Sequence, residues 1–288
     1  MTGPLALDQL ETLAHGLDHP EGICVTPAGD VYVGGESGQI YRIEGDGGIS
    51  EVANTGGFIL GLAADADGRI YAIDLAAKCV WRVDPDTSTV ERWAEGPPSA
   101  PFRSPNWGAF DSRGIYYLTD SGEWGASTGC IWRIPPGGDP EIWTEESASF
   151  PNGLALSADE SSLYVVESYP GALVEIPIGP EGAAGARRLL CDLDPAVPDG
   201  VAVAEDGSLY IACYRPDIVY RWHADGGLYV VAEDPRGTVL AAPTNLAFVG
   251  DDRKTILVPN IGRWHVTRIP IDVAGIRPSY PTRAQLGS

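Results

Sequence analysis

The chain has 288 residues, 44% of them hydrophobic, and carries 19 Lys and Arg against 40 Asp and Glu, for a formal net charge of -21. That is enough apolar material for one large all-β domain or two ordinary ones. The acidity argues against nucleic acid or an anionic membrane as a partner, because both select basic patches.

The first predicted strand lies within "LETLAHGL" (10–17) and stands apart from the repeats that come after it. The N-terminus has neither the basic start nor the apolar stretch of a secretory leader, and no apolar run approaches the ~20 residues that span a bilayer. Next comes "PEGICVTPAGDVYVG" (20–34), an alternating strand, an Asp/Gly-rich turn and a second strand, which is hairpin grammar. It is echoed by "LGLAADADGRIYAID" (60–74), "NWGAFDSRGIYYLTD" (106–120), "PNGLALSADESSLYVVE" (151–167) and "PDGVAVAEDGSLYIAC" (198–213), then more loosely by "TNLAFVGDDRKTILVPN" (244–260). Counted from the glycine, or from Leu246 in the last copy, the repeats start at 22, 61, 108, 153, 200 and 246.

Two outer strands follow each of the first five hairpins, as "QIYRIE" and "ISEVAN" follow the first. Four antiparallel strands per ~45 residues is the pattern of a propeller blade. The sixth repeat has only three strands, ending with "HVTRIPI" (265–271), so the strand at 10–17 is expected to complete it and close the ring. The predicted fold is an all-β, six-bladed β-propeller forming one domain over residues 1–288, with 275–288 as a C-terminal surface tail. Cys24, Cys79, Cys130, Cys191 and Cys213 have no metal-ligand spacing and read as buried reduced thiols, consistent with a cytoplasmic protein.

First strands line a propeller's central channel, so equivalent positions ring one point on the axis. The residues just before the reference positions are Glu21, Leu60, Trp107, Asn152, Asp199 and Asn245. Glu21 is expected to face Asn152 and Asp199. Two carboxylates and an amide oxygen in so confined a space call for a cation between them. Oxygen donors favour a hard divalent ion, Ca²⁺ first, with Mg²⁺ or Mn²⁺ as alternatives; Zn²⁺ would be accommodated but nothing selects it. Asp-Gly and Asn-Gly are also common turn dipeptides; their recurrence at equivalent points of a six-fold repeat sets these apart.

These motifs resemble the SMP-30/gluconolactonase/LRE-like family of six-bladed propellers, from "HPEG" to "NIGRWHVTRI" (260–269). The resemblance implies a divalent cation held by Glu21 of "HPEG", Asn152 of "FPNGLALS" and Asp199 of "VPDGVAVAEDGSLYIA", with Asp199 as candidate base. It also implies a substrate-side asparagine, Asn106 of "RSPNWGAFD". Regucalcin-type members carry an Arg two residues before that Asn and Asp-Gly after it. Here Arg103 stands three before and Trp107 follows, wording nearer the bacterial lactonase branch. The implied activity is hydrolysis of a small-molecule lactone, a cyclic ester.

Asp120 and Glu167 end second strands at equivalent points and are candidates for contact with substrate or a second ion, or for solvated rim acids. Trp107, Trp124 and Tyr214 are candidates to wall an apolar pocket, or simply to pack. His15, His19, His223 and His265 sit in unrelated contexts, and Trp264 with His265 is expected to pack in the last blade. Two other functions fit the same fold: a non-catalytic cation-binding propeller that docks a partner, and a strictosidine-synthase-like enzyme that needs no Glu/Asn/Asp set.

Overall fold

The computed structural model describes residues 3–287. Strand β1 (Glu11–His15) comes first, followed by blade one, made of β2 (Ile23–Val25), β3 (Val31–Gly34), β4 (Gln39–Ile43) and β5 (Ile49–Asn54). Blade two is β6 (Ile59–Ala64), β7 (Ile70–Asp74), β8 (Cys79–Asp84) and β9 (Thr89–Glu95). Blade three is β10 (Pro105–Phe110), β11 (Tyr116–Asp120), β12 (Cys130–Ile134) and β13 (Glu141–Thr144). Blade four is β14 (Pro151–Leu156), β15 (Ser162–Ser168), β16 (Gly171–Pro177) and β17 (Arg188–Asp192). Blade five is β18 (Val197–Val203), β19 (Leu209–Arg215), β20 (Ile218–His223) and β21 (Gly227–Glu233). Blade six is β22 (Ala247–Val249), β23 (Thr255–Asn260) and β24 (His265–Pro270), and its fourth strand is β1. The predicted six-bladed propeller and its closure by the N-terminal strand are both present. No described helix is long and apolar enough to cross a membrane.

The strand patterns follow from position in the blade. Second strands such as β7 and β11 lie between neighbouring blades and are buried throughout. Outermost strands such as β9 and β5 are exposed or half-buried along most of their length. Apolar clusters fill the seams between blades. The seam between blades six and one holds Ala14, Leu17, Ile23, Val33, Leu257 and Val266.

Where the first strands begin, the register slips by one residue. Ile59 pairs with Asp74 but Leu62 with Ala72, Pro105 with Asp120 but Gly108 with Leu118, and Pro151 with Glu167 but Leu154 with Val165. A similar slip surrounds Asp199, between Pro198 and Gly200. Such bulges bend a strand and re-aim a side chain, and here each falls at the axial residue.

The C-terminal segment does run over the surface, but as an anchored strap. It crosses the face opposite those bulges, with Ile276 N–H bonding to Val203 C=O, Tyr280 O–H to Val25 C=O and Ala66 N–H to Pro281 C=O. Leu286 is buried in the cluster shared by blades two and three. A cavity of about 440 Å³ lies between this strap and the far ends of the first strands, walled by Leu62, Phe110, Leu154 and Tyr280. None of the axial carboxylates or amides lines it, so the cavity is distinct from the candidate site.

Candidate metal centre

The axial ring is visible in the contacts of its glycines. A Cβ on Gly22 would lie 1.7 Å from the carbonyl oxygen of Leu60, and one on Gly61 would lie 2.7 Å from that of Asn106. A Cβ on Gly153 would lie 2.6 Å from the Asp199 carbonyl oxygen, and one on Gly200 would lie 2.5 Å from the Asn245 side-chain oxygen. Thr119 Oγ1 donates to Asn152 C=O across blades three and four, and Thr244 Oγ1 donates to Glu21 C=O, which closes the circle between blades six and one. Side chains larger than hydrogen at these glycines would push the first strands apart.

The bulge corrects the sequence alignment in blade three. Pro105 is the equivalent of Pro151, so Asn106, not Trp107, is the counterpart of Asn152. Counting back from Gly108 along the sequence shifts this repeat by one residue. The ring is therefore Glu21, Leu60, Asn106, Asn152, Asp199 and Asn245. Trp107 is buried, its Nε1–H donates to Leu154 C=O at 3.1 Å, and it packs between blades three and four.

Two serines orient the amides. Asn106 Nδ2–H donates to Ser121 Oγ at 3.0 Å, and Ser121 donates to Pro151 C=O at 2.8 Å. Asn152 Nδ2–H donates to Ser168 Oγ at 3.2 Å, and Ser168 donates to Pro198 C=O at 2.7 Å. With the nitrogens engaged, both amide oxygens are free. Among the described residues, the only buried carboxylate or amide side-chain oxygens without a hydrogen-bond partner are Asn106 Oδ1, Asn152 Oδ1 and Asp199 Oδ1. Leaving such groups unpaired is costly. Oxygens supplied by two amides and two carboxylates are the donor chemistry of a hard divalent cation, so these residues fit one.

The electrostatics agree. Burial pushes the Glu21 carboxyl up to about 7, and the nearby Glu36 charge adds to it. Burial first, and then Glu21, hold the Asp199 carboxyl well above its usual range, while hydrogen bonding with the Asn152 side chain acts the other way. Folding therefore favours the protonated form of the pair. Without a cation, this penalty is absent below the ordinary aspartate value of 3.8, and it grows as the pH rises past the glutamate value of 4.5 towards about 7. In EDTA, the Tm should thus fall by several degrees from pH 5 to pH 8, and Ca²⁺ should raise it more at pH 8 than at pH 5. A Ca²⁺ effect of equal size at both values would contradict proton–cation competition at this pair.

Asp120 and Glu167 prove to be neither solvated rim acids nor open contacts. Both are buried. Asp120 accepts from the Arg103 and Ser104 N–H groups at 2.7 Å each, and Glu167 accepts from Arg187 Nη2 at 2.6 Å and Ser147 Oγ at 2.7 Å. They pin the loops that enter their blades. Tyr214 stands on the rim, half-exposed, with the Arg215 guanidinium 4.8 Å from its ring centre.

His265 is buried and bonded to Val239 C=O, as a packing residue would be, whereas Trp264 is exposed and lies 4.8 Å from the His19 ring. His19 Nδ1 sits 2.9 Å from Asp18 and 2.8 Å from Glu36, a rim cluster that sequence spacing does not reveal. Sequence reasoning also misses the serine relays. Their signal is present in the Asp-Ser and Glu-Ser pairs that end the second strands of blades three and four.

Known proteins resemble this chain in sequence and in fold. The Zymomonas mobilis gluconolactonase is 28% identical over 196 residues, covering 60% of this chain and 51% of that protein. The Staphylococcus aureus lactonase drp35 is 26% identical over 159 residues, covering 52% of this chain and 49% of that one. The matches thus span about half the length of these curated relatives. A calcium-binding protein, regucalcin, from Agrobacterium tumefaciens superposes with a TM-score of 0.76 at 19% identity over 96% of this chain and 98% of its own, a likeness of fold. The family model described as the SMP-30/Gluconolactonase/LRE-like region matches residues 20–261. With that span of its 288 residues matched, the chain belongs to the SMP-30/gluconolactonase/LRE-like family.

Proposed function

We propose that this chain is a lactonase that depends on a divalent cation, Ca²⁺ first among the candidates. The observation that carries the reading is the cluster of three unpartnered buried oxygens beside Glu21. It gains support from the gluconolactonase and lactonase among the relatives and from the calcium-binding neighbour. Glu21, Asn106, Asn152 and Asp199 would hold the ion. When bound, it supplies a Lewis acid for an ester carbonyl and makes a nearby water more acidic.

The chain's own residues divide the remaining work. Ser121 and Ser168 keep the two amide oxygens turned inward. Asp199 takes the proton from the attacking water at a carboxylate oxygen. The ring ester C–O bond breaks, the proton passes to the departing alkoxide oxygen, and the product is a hydroxy acid. Direct coordination lowers a carboxylate's basicity, while burial raises it. Asp199 would therefore hold the ion through one carboxylate oxygen and take the proton at the other. We further place the protein in a reducing compartment such as the cytoplasm, since all five cysteines are free and four are buried.

The test is a panel including glucono-1,5-lactone and γ-butyrolactone, followed by pH-stat. EDTA should abolish turnover while circular dichroism stays native, and Ca²⁺ should restore it. Full turnover in protein shown by elemental analysis to lack metal would defeat this reading.

A further inference from the structure

The loops that follow the second strands of blades three and four carry exposed rings beside the candidate site. Trp124 is 56% exposed and Tyr169 is 52% exposed. The Trp124 ring lies 4.9 Å from Phe150, nearly edge-on, and 5.4 Å from Tyr169. Large exposed aromatics gathered in one patch mark a surface kept for contact.

Their place in the chain ties them to the axial amides. Phe150 is two residues before Asn152 and has a left-handed backbone, φ 58°, that is unusual for a bulky side chain. Trp124 follows Ser121, which holds Asn106, and Tyr169 follows Ser168, which holds Asn152. The rings thus stand on the loops that begin at the serines aiming the amide oxygens inward. Asp120 and Glu167 are engaged by their own loops, and both serine hydroxyls by the relays. The large apolar side chains that these loops expose, Trp124 and Tyr169, are both aromatic.

We propose that the site is selective for lactones bearing a flat apolar or aryl substituent, seated against Trp124, Phe150 and Tyr169. This rests on the lactonase reading above. An aryl group on a ring cluster gains both buried area and a favourable edge or offset contact.

A matched pair tests it: α-phenyl-γ-butyrolactone against γ-butyrolactone, which lose the same alkoxide. The wild-type protein should prefer the phenyl compound by about tenfold in kcat/KM, mainly through KM. Trp124→Ala should remove most of that preference, and Trp124→Phe should keep most of it. Calorimetry with the unreactive lactam 3-phenyl-2-pyrrolidinone gives a readout free of turnover. Equal kcat/KM for the pair, or a preference that survives Trp124→Ala, overturns the aryl site while leaving the lactonase reading intact. Lactam binding that needs Trp124 in a protein that hydrolyses no lactone keeps the ring pocket and removes the lactonase reading. No lactam binding overturns the aryl site whatever the turnover.

Discussion

Cation-loaded Asp199→Asn protein should hydrolyse lactone ~10²–10⁴-fold more slowly than the wild type, the usual effect of losing a general base. Asparagine keeps a carbonyl oxygen for the ion but has no basic oxygen for the water's proton. It also removes the carboxyl that burial and the Glu21 charge hold in its protonated form. Weaker cation binding could imitate lost chemistry, so occupancy must be measured at each Ca²⁺ concentration and turnover compared at saturation. Near-normal kcat in the loaded variant would exclude Asp199 as the base. By contrast, Glu21→Gln and Asn152→Ala should each lower affinity, with activity partly recovered by excess cation.

Deleting residues 1–17 should cost most of the protein's stability. β1 pairs with β24 through Glu11–Arg268, Thr12–Thr267, Ala14–Val266 and His15–His265. Its removal unpairs the edge of β24 and takes away the buried side chains of Leu10, Ala14 and Leu17. The two leucines alone are worth on the order of 5 kcal/mol, comparable with the ~5–15 kcal/mol by which whole domains are stable. The exposed edge would also invite pairing between chains. The truncated chain should therefore melt far below the full-length protein and elute as aggregate on size exclusion. A monodisperse product with an unchanged Tm would show that blade six holds without its N-terminal strand.

Blade architecture was readable because its causes are local. Alternation along "GDVYVG" and "GRIYAID", with an Asp/Gly turn before each, specifies hairpins whatever the rest of the chain does. The three-stranded last repeat and the orphan strand at 10–17 specify closure in the same way. Glu21, Asn152 and Asp199 could be selected as candidates because a repeat makes equivalent residues meet.

The tertiary structure decided what depends on register and on exclusion of water. The same bulge follows Pro105 and Pro151, so register aligns Pro-Asn with Pro-Asn and Gly108 with Leu154; Asn106 then turns to the axis and Trp107 into the seam, which counting from the glycine does not reveal. Asp120 and Glu167 look like rim acids in the sequence because burial is set by the loops folded over them, whose partners include Arg103 and Arg187, 17 and 20 residues away. The raised Glu21 and Asp199 carboxyls likewise exist only once six strands from distant parts of the chain close around them. The sequence by itself therefore determined the blades, their number, the closing strand and five of the ring's six residues, since short-range patterns encode all of these. Which amide joins them, which hydroxyls aim it and how strongly the carboxyls hold their protons were decided by packing, because a charge's energy depends on everything that keeps water away from it.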